Sequence, residues 1–275
     1  MLKNIIFSLF SLKISDLYYQ LKKYLHYLLH STNKHGIHSP FVFDLITKCF
    51  EKKTAKEAIY IFNEYKRSLK NNDSIIKVTD FGAGSKVFKT NQRKVAAILK
   101  NVTIENKEAY LLTRLVNYLD CTTILEIGTS LGVGTLALAL GNKKATITTL
   151  EGCPETLKIP KTHLNKYIPN TIHFKEGEFS KTLTKIIQNK TFDLIYFDGN
   201  HQKEPTIKYF EQCLQTIHNK SVFIFDDIYW SKEMTEAWEY IKNHKQVTLT
   251  IDIYHLGFVF FRKEQFEKET FIIRF

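Results

Sequence analysis

The stretch ILEIGTSLGVG, residues 124–134, decides the fold of this chain. It begins as a short apolar run, typical of a buried strand, and continues into a loop with glycines at positions 128, 132 and 134. Glycine lets the backbone turn sharply and approach a ligand closely, and the free N–H groups of the helix that follows favour a carboxylate or phosphate. The next predicted strand ends at Glu151, which could accept hydrogen bonds from both ribose hydroxyls of a nucleoside. A nucleoside-binding loop is predicted here.

Strands and helices alternate along the sequence on both sides of this stretch. A helix is predicted over 107–118, and a terminal pair of strands is close enough to form an antiparallel hairpin. The predicted strands cover 123–127, 146–150, 172–174, 192–197, 221–225, 247–254 and 256–261. This order predicts an α/β fold with a doubly wound, mostly parallel sheet and a reversed edge strand.

The composition is that of a globular protein. The chain has 275 residues, of which 44% are hydrophobic, and a net charge of +11. Its four cysteines form no C-x-x-C pair, so neither a disulfide framework nor a zinc knuckle is predicted. The apolar run 5–12 is far shorter than the ~20 residues of a membrane span, and no cleavage site follows it. A cytoplasmic location is therefore expected, with peripheral membrane association left open.

The positive charge is concentrated before residue 106. Residues 1–105 hold 18 Lys+Arg and 8 Asp+Glu, a net of +10, whereas 106–275 hold 21 and 20. We predict a mainly helical N-terminal region, 1–105, that serves as a cap or substrate-binding part, followed by a cofactor-binding domain, 106–275.

The N-terminal region begins with a predicted amphipathic helix. Its apolar residues recur at helical spacing, and they are Ile14, Leu17, Tyr18, Leu21, Tyr24, Leu25 and Leu28. Packing of this helix on the core, with a solvated lysine face, is favoured over an anionic membrane surface or RNA as its partner. The sequence breaks at 35–40, and a second helix is predicted from Phe41 to Lys56 or beyond.

Two kinds of nucleoside cofactor fit the glycine loop. Residues 132–137 match the dinucleotide pattern G-x-G-x-x-A, which keeps an NAD(P)-dependent oxidoreductase open. Glu126, however, lies inside the strand two residues before the first glycine, where a carboxylate can bind an ammonium group. S-adenosylmethionine carries such a group and NAD does not.

The motifs taken together resemble the class I S-adenosylmethionine-dependent methyltransferases over 106–275. The resemblance rests on Glu-x-Gly-x-x-x-Gly from Glu126, on Glu151, and on the strand FDLIYFD, residues 192–198. It implies a Rossmann-like, seven-stranded core. A second glycine sequence, DFGAGS at 80–85, lacks an acid-ended strand at the right distance and is interpreted as a lid or substrate loop.

Within that superfamily the chain is most similar to the cation-dependent O-methyltransferases of the catechol and caffeoyl-coenzyme A type. Their fourth strand ends in Asp-Ala-Asp-Lys and their fifth in Asp-Asn before a Trp. The corresponding residues here are DGNH at 198–201 and DDIYW at 226–230. Asp227 thus replaces an asparagine, and His201 replaces a lysine.

The resemblance implies a role for each matching residue. The cofactor-binding residues would be Glu126, Gly128, Ser130, Gly132, Glu151, Gly177, Glu178, Phe179 and Asp198. Asp198, Asp226 and Asp227 would bind Mg²⁺ or another divalent cation, because hard dications prefer carboxylate oxygens. His201 and Asp198 would be catalytic, since an imidazole titrates near neutrality and could act as general base.

The sequence indicates the substrate less directly than the cofactor. No Asn/Asp-Pro-Pro-Tyr sequence follows the fourth predicted strand, so a small hydroxylated acceptor is expected in place of a nucleobase amino group. Because the N-terminal region is basic, an RNA methyltransferase stays open, as do a membrane-surface adaptor without enzyme activity and a homodimer.

Overall fold

The N-terminal region is built from helices and one small hairpin. In a computed structural model, the described residues are 2–79, 90–101 and 104–275, with side chains described from residue 16 onward. The helices are α1 (Leu2–His30), α2 (Pro40–Leu45), α3 (Lys56–Lys70) and α4 (Val95–Asn101). Strands β1 (Ile75–Lys77) and β2 (Gln92–Lys94) pair antiparallel, an element that the sequence analysis did not predict.

The helix predicted from Phe41 is shorter than expected. α2 continues as one π-helical turn over Ile46–Phe50 and then stops before α3. The Arg114 guanidinium donates to the backbone carbonyls of Cys49 and Phe50 at the end of this turn. A residue far along the chain therefore supports the point at which the helix stops.

The second part of the chain alternates strands with helices, as predicted. Its helices are α5 (Asn106–Tyr118), α6 (Val133–Gly141), α7 (Pro154–His163), α8 (Phe179–Ile187), α9 (Lys203–Cys213) and α10 (Lys232–Asn243). Its strands are β3 (Thr123–Ile127), β4 (Thr146–Glu151), β5 (Thr171–Glu176), β6 (Leu194–Phe197), β7 (Val222–Asp226), β8 (Leu249–Asp252), β9 (Leu256–Phe260) and β10 (Glu269–Ile272).

These strands form one mostly parallel sheet in the order β10-β8-β9-β7-β6-β3-β4-β5. β9 runs antiparallel to β7 and to β8, which confirms the doubly wound fold and its terminal hairpin. The described sheet has eight strands where seven were expected. The extra strand, β10, lies at the edge beside β8 and is only four residues long, so its sequence carries little periodicity.

The sheet is covered on both faces by apolar side chains. β6 and β7 are buried along nearly their whole length, as expected of central parallel strands. Val42 and Phe62, from the N-terminal region, belong to the same hydrophobic cluster as Ile124 and Leu136. Both parts of the chain thus contribute to one core, and the functional division at residue 106 stays a prediction.

Helix α1 packs on the protein with the opposite face from the one predicted. Leu17, Leu21 and Leu25 are exposed to solvent, whereas Tyr27 is buried and Gln20 is half-buried. The reason is that the surface beneath the helix is polar. Gln20 Nε2 donates to the backbone oxygen of Trp230 at 2.8 Å, and the Tyr27 hydroxyl donates to that of Ile273 at 2.7 Å. Within the described part of the chain, no helix is long and apolar enough to cross a bilayer.

Candidate active site

The glycine loop after β3 makes the sharp turn that its sequence predicts. Gly128 has φ +111°, and a side chain there would lie 2.1 Å from the backbone oxygen of Asp198. Ser130 and Gly132 also have positive φ, at 45° and 75°. The loop is therefore held directly against the end of β6, with no room for a side chain between them.

Glu126 lies under this loop and is completely buried. One carboxyl oxygen, Oε2, accepts hydrogen bonds from the hydroxyls of Thr135 and Thr149, the latter at 2.6 Å. The other oxygen, Oε1, has no hydrogen-bond partner among the described residues. Burial raises the pKa of Glu126 to about 8, although the two threonine hydroxyls oppose the shift.

Gly134, at the first turn of α6, packs closely against the carboxyl group of Glu126. A methyl group added to Gly134 would lie 2.7 Å from Glu126 Oε1, 3.3 Å from the Tyr196 ring and 3.9 Å from Asp198 Oδ2. Only a glycine therefore fits here, and carboxyl oxygens of Glu126 and Asp198 lie near the same residue. An ammonium group bound beside Glu126 would give its unpaired oxygen a charged donor.

Glu151, at the end of β4, connects two neighbouring loops. Its Oε2 accepts from the Ser130 backbone N–H and its Oε1 from that of Cys153, both at 2.8 Å. This brings the predicted residues Glu151 and Ser130 together. Whether Glu151 also binds ribose hydroxyls stays a prediction.

The residues after β5 lie beside the loop after β6. Gly177 has φ +133°, and Glu178 forms an ion pair with Lys181 at 2.8 Å that lowers the pKa of this exposed carboxyl. Phe179 leaves no room for a side chain at Gly199, where an added methyl would lie 2.7 Å from its Cε2. These three residues, predicted to bind the cofactor, thus lie at the same sheet edge as Asp198.

Asp198 stands between the glycine loop and the candidate catalytic histidine. Of its two carboxyl oxygens, Oδ2 lies near Gly134, and Oδ1 is 3.7 Å from His201 Nε2. Burial raises the pKa of Asp198 to about 6, although His201 opposes the shift. The predicted pair His201 and Asp198 is brought together, with both side chains about a quarter exposed.

The predicted cation-binding carboxylates lie close to one another. The side chains of Asp198 and Asp226 share a hydrogen bond, and burial with the neighbouring carboxylates raises the pKa of Asp226 well above its usual range. Asp227 follows with φ 54°. Their oxygens are of the type that a hard dication prefers. However, no three His, Cys, Asp or Glu side chains of the described residues are arranged to hold a metal ion. The Mg²⁺ site therefore stays a prediction.

The sequence analysis missed one residue that supports the site. The Tyr65 hydroxyl, on α3, donates to the backbone oxygen of Leu131 at 2.6 Å, in the middle of the glycine loop. Nothing in the local sequence indicates this contact, because the two residues are 66 positions apart. The glycine sequence at 80–85, interpreted as a lid or substrate loop, lies outside the described residues.

Comparison with known proteins assigns the family. A model of the O-methyltransferase family matches residues 85–255, which is more than half of the chain. The chain belongs to the O-methyltransferase family. This confirms the resemblance drawn from Glu126, Glu151 and Asp198. It also argues against the NAD(P)-dependent oxidoreductase and against an adaptor without enzyme activity.

Solved structures of methyltransferases share the fold. A Podospora anserina methyltransferase bound to S-adenosylhomocysteine is 15% identical, with a TM-score of 0.57 over 82% of this chain and 98% of that one. A Bacillus cereus O-methyltransferase in complex with S-adenosylhomocysteine is 17% identical, with a TM-score of 0.52 over 80% and 96%. The protein thus has the fold of these methyltransferases, in agreement with the transferase family that its sequence matches.

One curated relative is also similar in sequence. It is an uncharacterized protein of Acanthamoeba polyphaga mimivirus, 28% identical over 129 residues. The match covers 43% of this chain and 58% of the viral protein's length.

Proposed function

We propose that this O-methyltransferase transfers the methyl group of S-adenosylmethionine to a hydroxyl oxygen of a small acceptor, with His201 as general base. The observation that carries the proposal is the buried oxygen Glu126 Oε1, which has no hydrogen-bond partner among the described residues and lies near the same glycine, Gly134, as Asp198 Oδ2. It suits the ammonium of the methionine part of the cofactor, because an ammonium would donate a charge-assisted hydrogen bond to this oxygen. A dinucleotide has no ammonium group to make this bond.

The remaining residues proposed to bind the cofactor lie around Glu126 and Gly134. The tight turn through Gly128 and Gly132 lets the backbone approach the cofactor, and the α6 N-terminus favours its carboxylate. Glu151 is placed for the ribose hydroxyls, and the residues 177–179 for the adenine, all at the carboxyl edge of the sheet. When bound, the cofactor supplies an electrophilic methyl carbon on its sulfonium.

His201 is placed to activate the acceptor. As the acceptor oxygen forms its bond to the methyl carbon, His201 takes the hydroxyl proton, and the electrons of the broken S–C bond stay on sulfur. Asp198 Oδ1, at 3.7 Å from His201 Nε2, stabilises the imidazolium that results. Asp198 therefore serves both sides of the reaction: Oδ2 faces the cofactor and Oδ1 the base.

A divalent cation is an optional part of the proposed mechanism. Asp198, Asp226 and Asp227 offer carboxyl oxygens but form no assembled three-residue site among the described residues. No step of the proposed reaction therefore depends on a metal ion. Turnover that survives a chelator unchanged would remove the cation from the proposal.

The cofactor site is tested by Gly134→Ala. The added methyl would lie 2.7 Å from Glu126 Oε1 and force this carboxyl to move, so we expect S-adenosylhomocysteine to bind at least about tenfold more weakly in calorimetry. Gly36→Ala is the matched control, since its added methyl would meet nothing closer than 3.5 Å. Equal affinity of the two variants would contradict the assignment of Glu126 to the cofactor ammonium.

The base is tested by His201→Gln. We expect S-adenosylhomocysteine release with a panel of small phenols and vicinal diols to fall by about 100-fold or more in kcat. Cofactor affinity should stay within about twofold, because His201 is not among the residues that pack against Gly134 beside Glu126. Unchanged turnover in His201→Gln, or methyl transfer to RNA but to none of the panel, would overturn the proposed role.

A further inference from the structure

Helix α1 carries an apolar strip on its outer face. Within its described part, exposed large apolar side chains follow one another along four turns. The exposed fractions are 67% for Leu17, 68% for Tyr18, 54% for Leu21, 51% for Leu25 and 82% for Leu29. Helices on protein surfaces normally present their polar face to water, so a contiguous strip of this kind marks an interaction surface.

The inner face of α1 fixes this orientation. Gln20 and Tyr27 donate hydrogen bonds to backbone oxygens of the protein, and the Tyr254 hydroxyl donates to the Gln20 backbone oxygen at 3.0 Å. Lys23 Nζ lies 5.6 Å from the centre of the Tyr229 ring. Turning the strip inward would break these contacts and leave the backbone oxygen of Trp230, a hydrogen-bond acceptor of the surface beneath, facing apolar side chains. The strip therefore stays outside.

The charge beside the strip is positive. Lys22 lines the same shallow groove as Leu21, Leu25 and Leu29. Over its whole sequence α1 has four lysines and one aspartate, and residues 1–105 carry a net charge of +10. An exposed apolar strip bordered by lysine and tyrosine suits the boundary between lipid headgroups and acyl chains.

We infer that α1 binds an anionic lipid surface through this strip. The apolar side chains would enter the interface while the lysines attract acidic headgroups. The helix lies on the bilayer and does not cross it, in agreement with the absence of a spanning helix among the described residues. This inference is independent of the proposed function, since it concerns the binding of α1 to a lipid surface and not methyl transfer.

A second copy of the chain is the main rival occupant. Apolar residues in α1 recur at alternating spacings of three and four from Phe7 to Leu28, which a second helix could also cover. The charges argue against it, because two basic N-terminal regions would be brought together with a single aspartate against four lysines on each α1. A lipid surface supplies the opposite charge.

The test is co-sedimentation with vesicles rich in phosphatidylserine and with vesicles of phosphatidylcholine alone, at low and high salt. We expect the wild-type protein to bind only the anionic vesicles, and less at high salt. Leu21→Glu/Leu25→Glu should weaken binding by at least about tenfold. Tyr60→Glu/Phe266→Glu is the matched control, because it adds the same charge at exposed side chains away from α1, and it should stay within about twofold of wild type.

Three outcomes would overturn the inference. The first is no binding of wild type to anionic vesicles, and the second is equal binding by the two double variants. The third is a wild-type dimer in sedimentation equilibrium that Leu21→Glu/Leu25→Glu converts to monomer, without any vesicle binding. Circular dichroism and S-adenosylhomocysteine affinity of both variants establish that they are folded.

Discussion

Glu126 is a buried acid whose charge depends on what lies beside it. With its pKa raised to about 8 by burial, its carboxyl is mostly protonated at neutral pH in the free protein. An ammonium beside Oε1 favours the ionised form. Binding of the cofactor and loss of this proton should therefore occur together.

This coupling predicts proton release on cofactor binding. Calorimetry of S-adenosylhomocysteine binding at pH 7, in buffers of different ionisation enthalpy, should detect most of one proton released by wild type and much less by Glu126→Gln. Glu233→Gln, at an exposed position on α10, should behave as wild type. If wild type and Glu126→Gln released the same number of protons on binding, an ammonium beside Glu126 Oε1 would be excluded.

The same raised pKa has a consequence for stability. Between pH 4.5, the usual pKa of the group, and about 8, the folded protein holds more protons on Glu126 than the unfolded chain does. The contribution of Glu126 to stability therefore falls as pH rises through this window. Glu126→Gln lacks that contribution, so its free energy of unfolding should decline less over this range than that of wild type.

At the scale of elements, α3 supports the cofactor loop across a long stretch of sequence. Tyr65→Phe removes the donor to the Leu131 backbone oxygen, inside a fully buried contact. We expect a loss of about 1–3 kcal/mol in the free energy of unfolding by urea, together with weaker binding of S-adenosylhomocysteine. Tyr60→Phe, exposed on the same helix, is the control. Lower stability with unchanged affinity would show that α3 stabilises the fold without positioning the loop.

Elements with strong local patterns could be predicted from sequence. β3 has the predicted bounds, and Glu126, Glu151 and Asp198 gather because each lies at or near the end of a strand at the same edge of the sheet. β1 and β2 were missed since each is three residues long and is stabilised by pairing, not by periodicity. The predicted orientation of α1 was also wrong. The actual orientation depends on the backbone oxygens of Trp230 and Ile273, which accept hydrogen bonds from the helix and lie far from it in the sequence.

At the scale of the whole molecule, α1 is attached to the last strand of the sheet. The buried Tyr27 hydroxyl donates to the Ile273 backbone oxygen and accepts from the Phe275 N–H at 3.1 Å. Tyr27→Phe removes both bonds and should cost about 1–3 kcal/mol in the free energy of unfolding. Tyr18→Phe, at an exposed position of the same helix, should be neutral. Equal urea midpoints for the two variants would mean that this attachment contributes nothing to stability.

That attachment has a consequence for synthesis of the chain. Thr32 bridges to Ile273, and Tyr27 is separated from its partner Ile273 by 246 positions. The surface beneath α1 therefore does not exist while the first two hundred or so residues leave the ribosome, although proteins generally begin to fold from the N-terminal side. During translation the inner face of α1 is therefore uncovered, like its outer face. The helix can pack in its final position only after β10 has been synthesised.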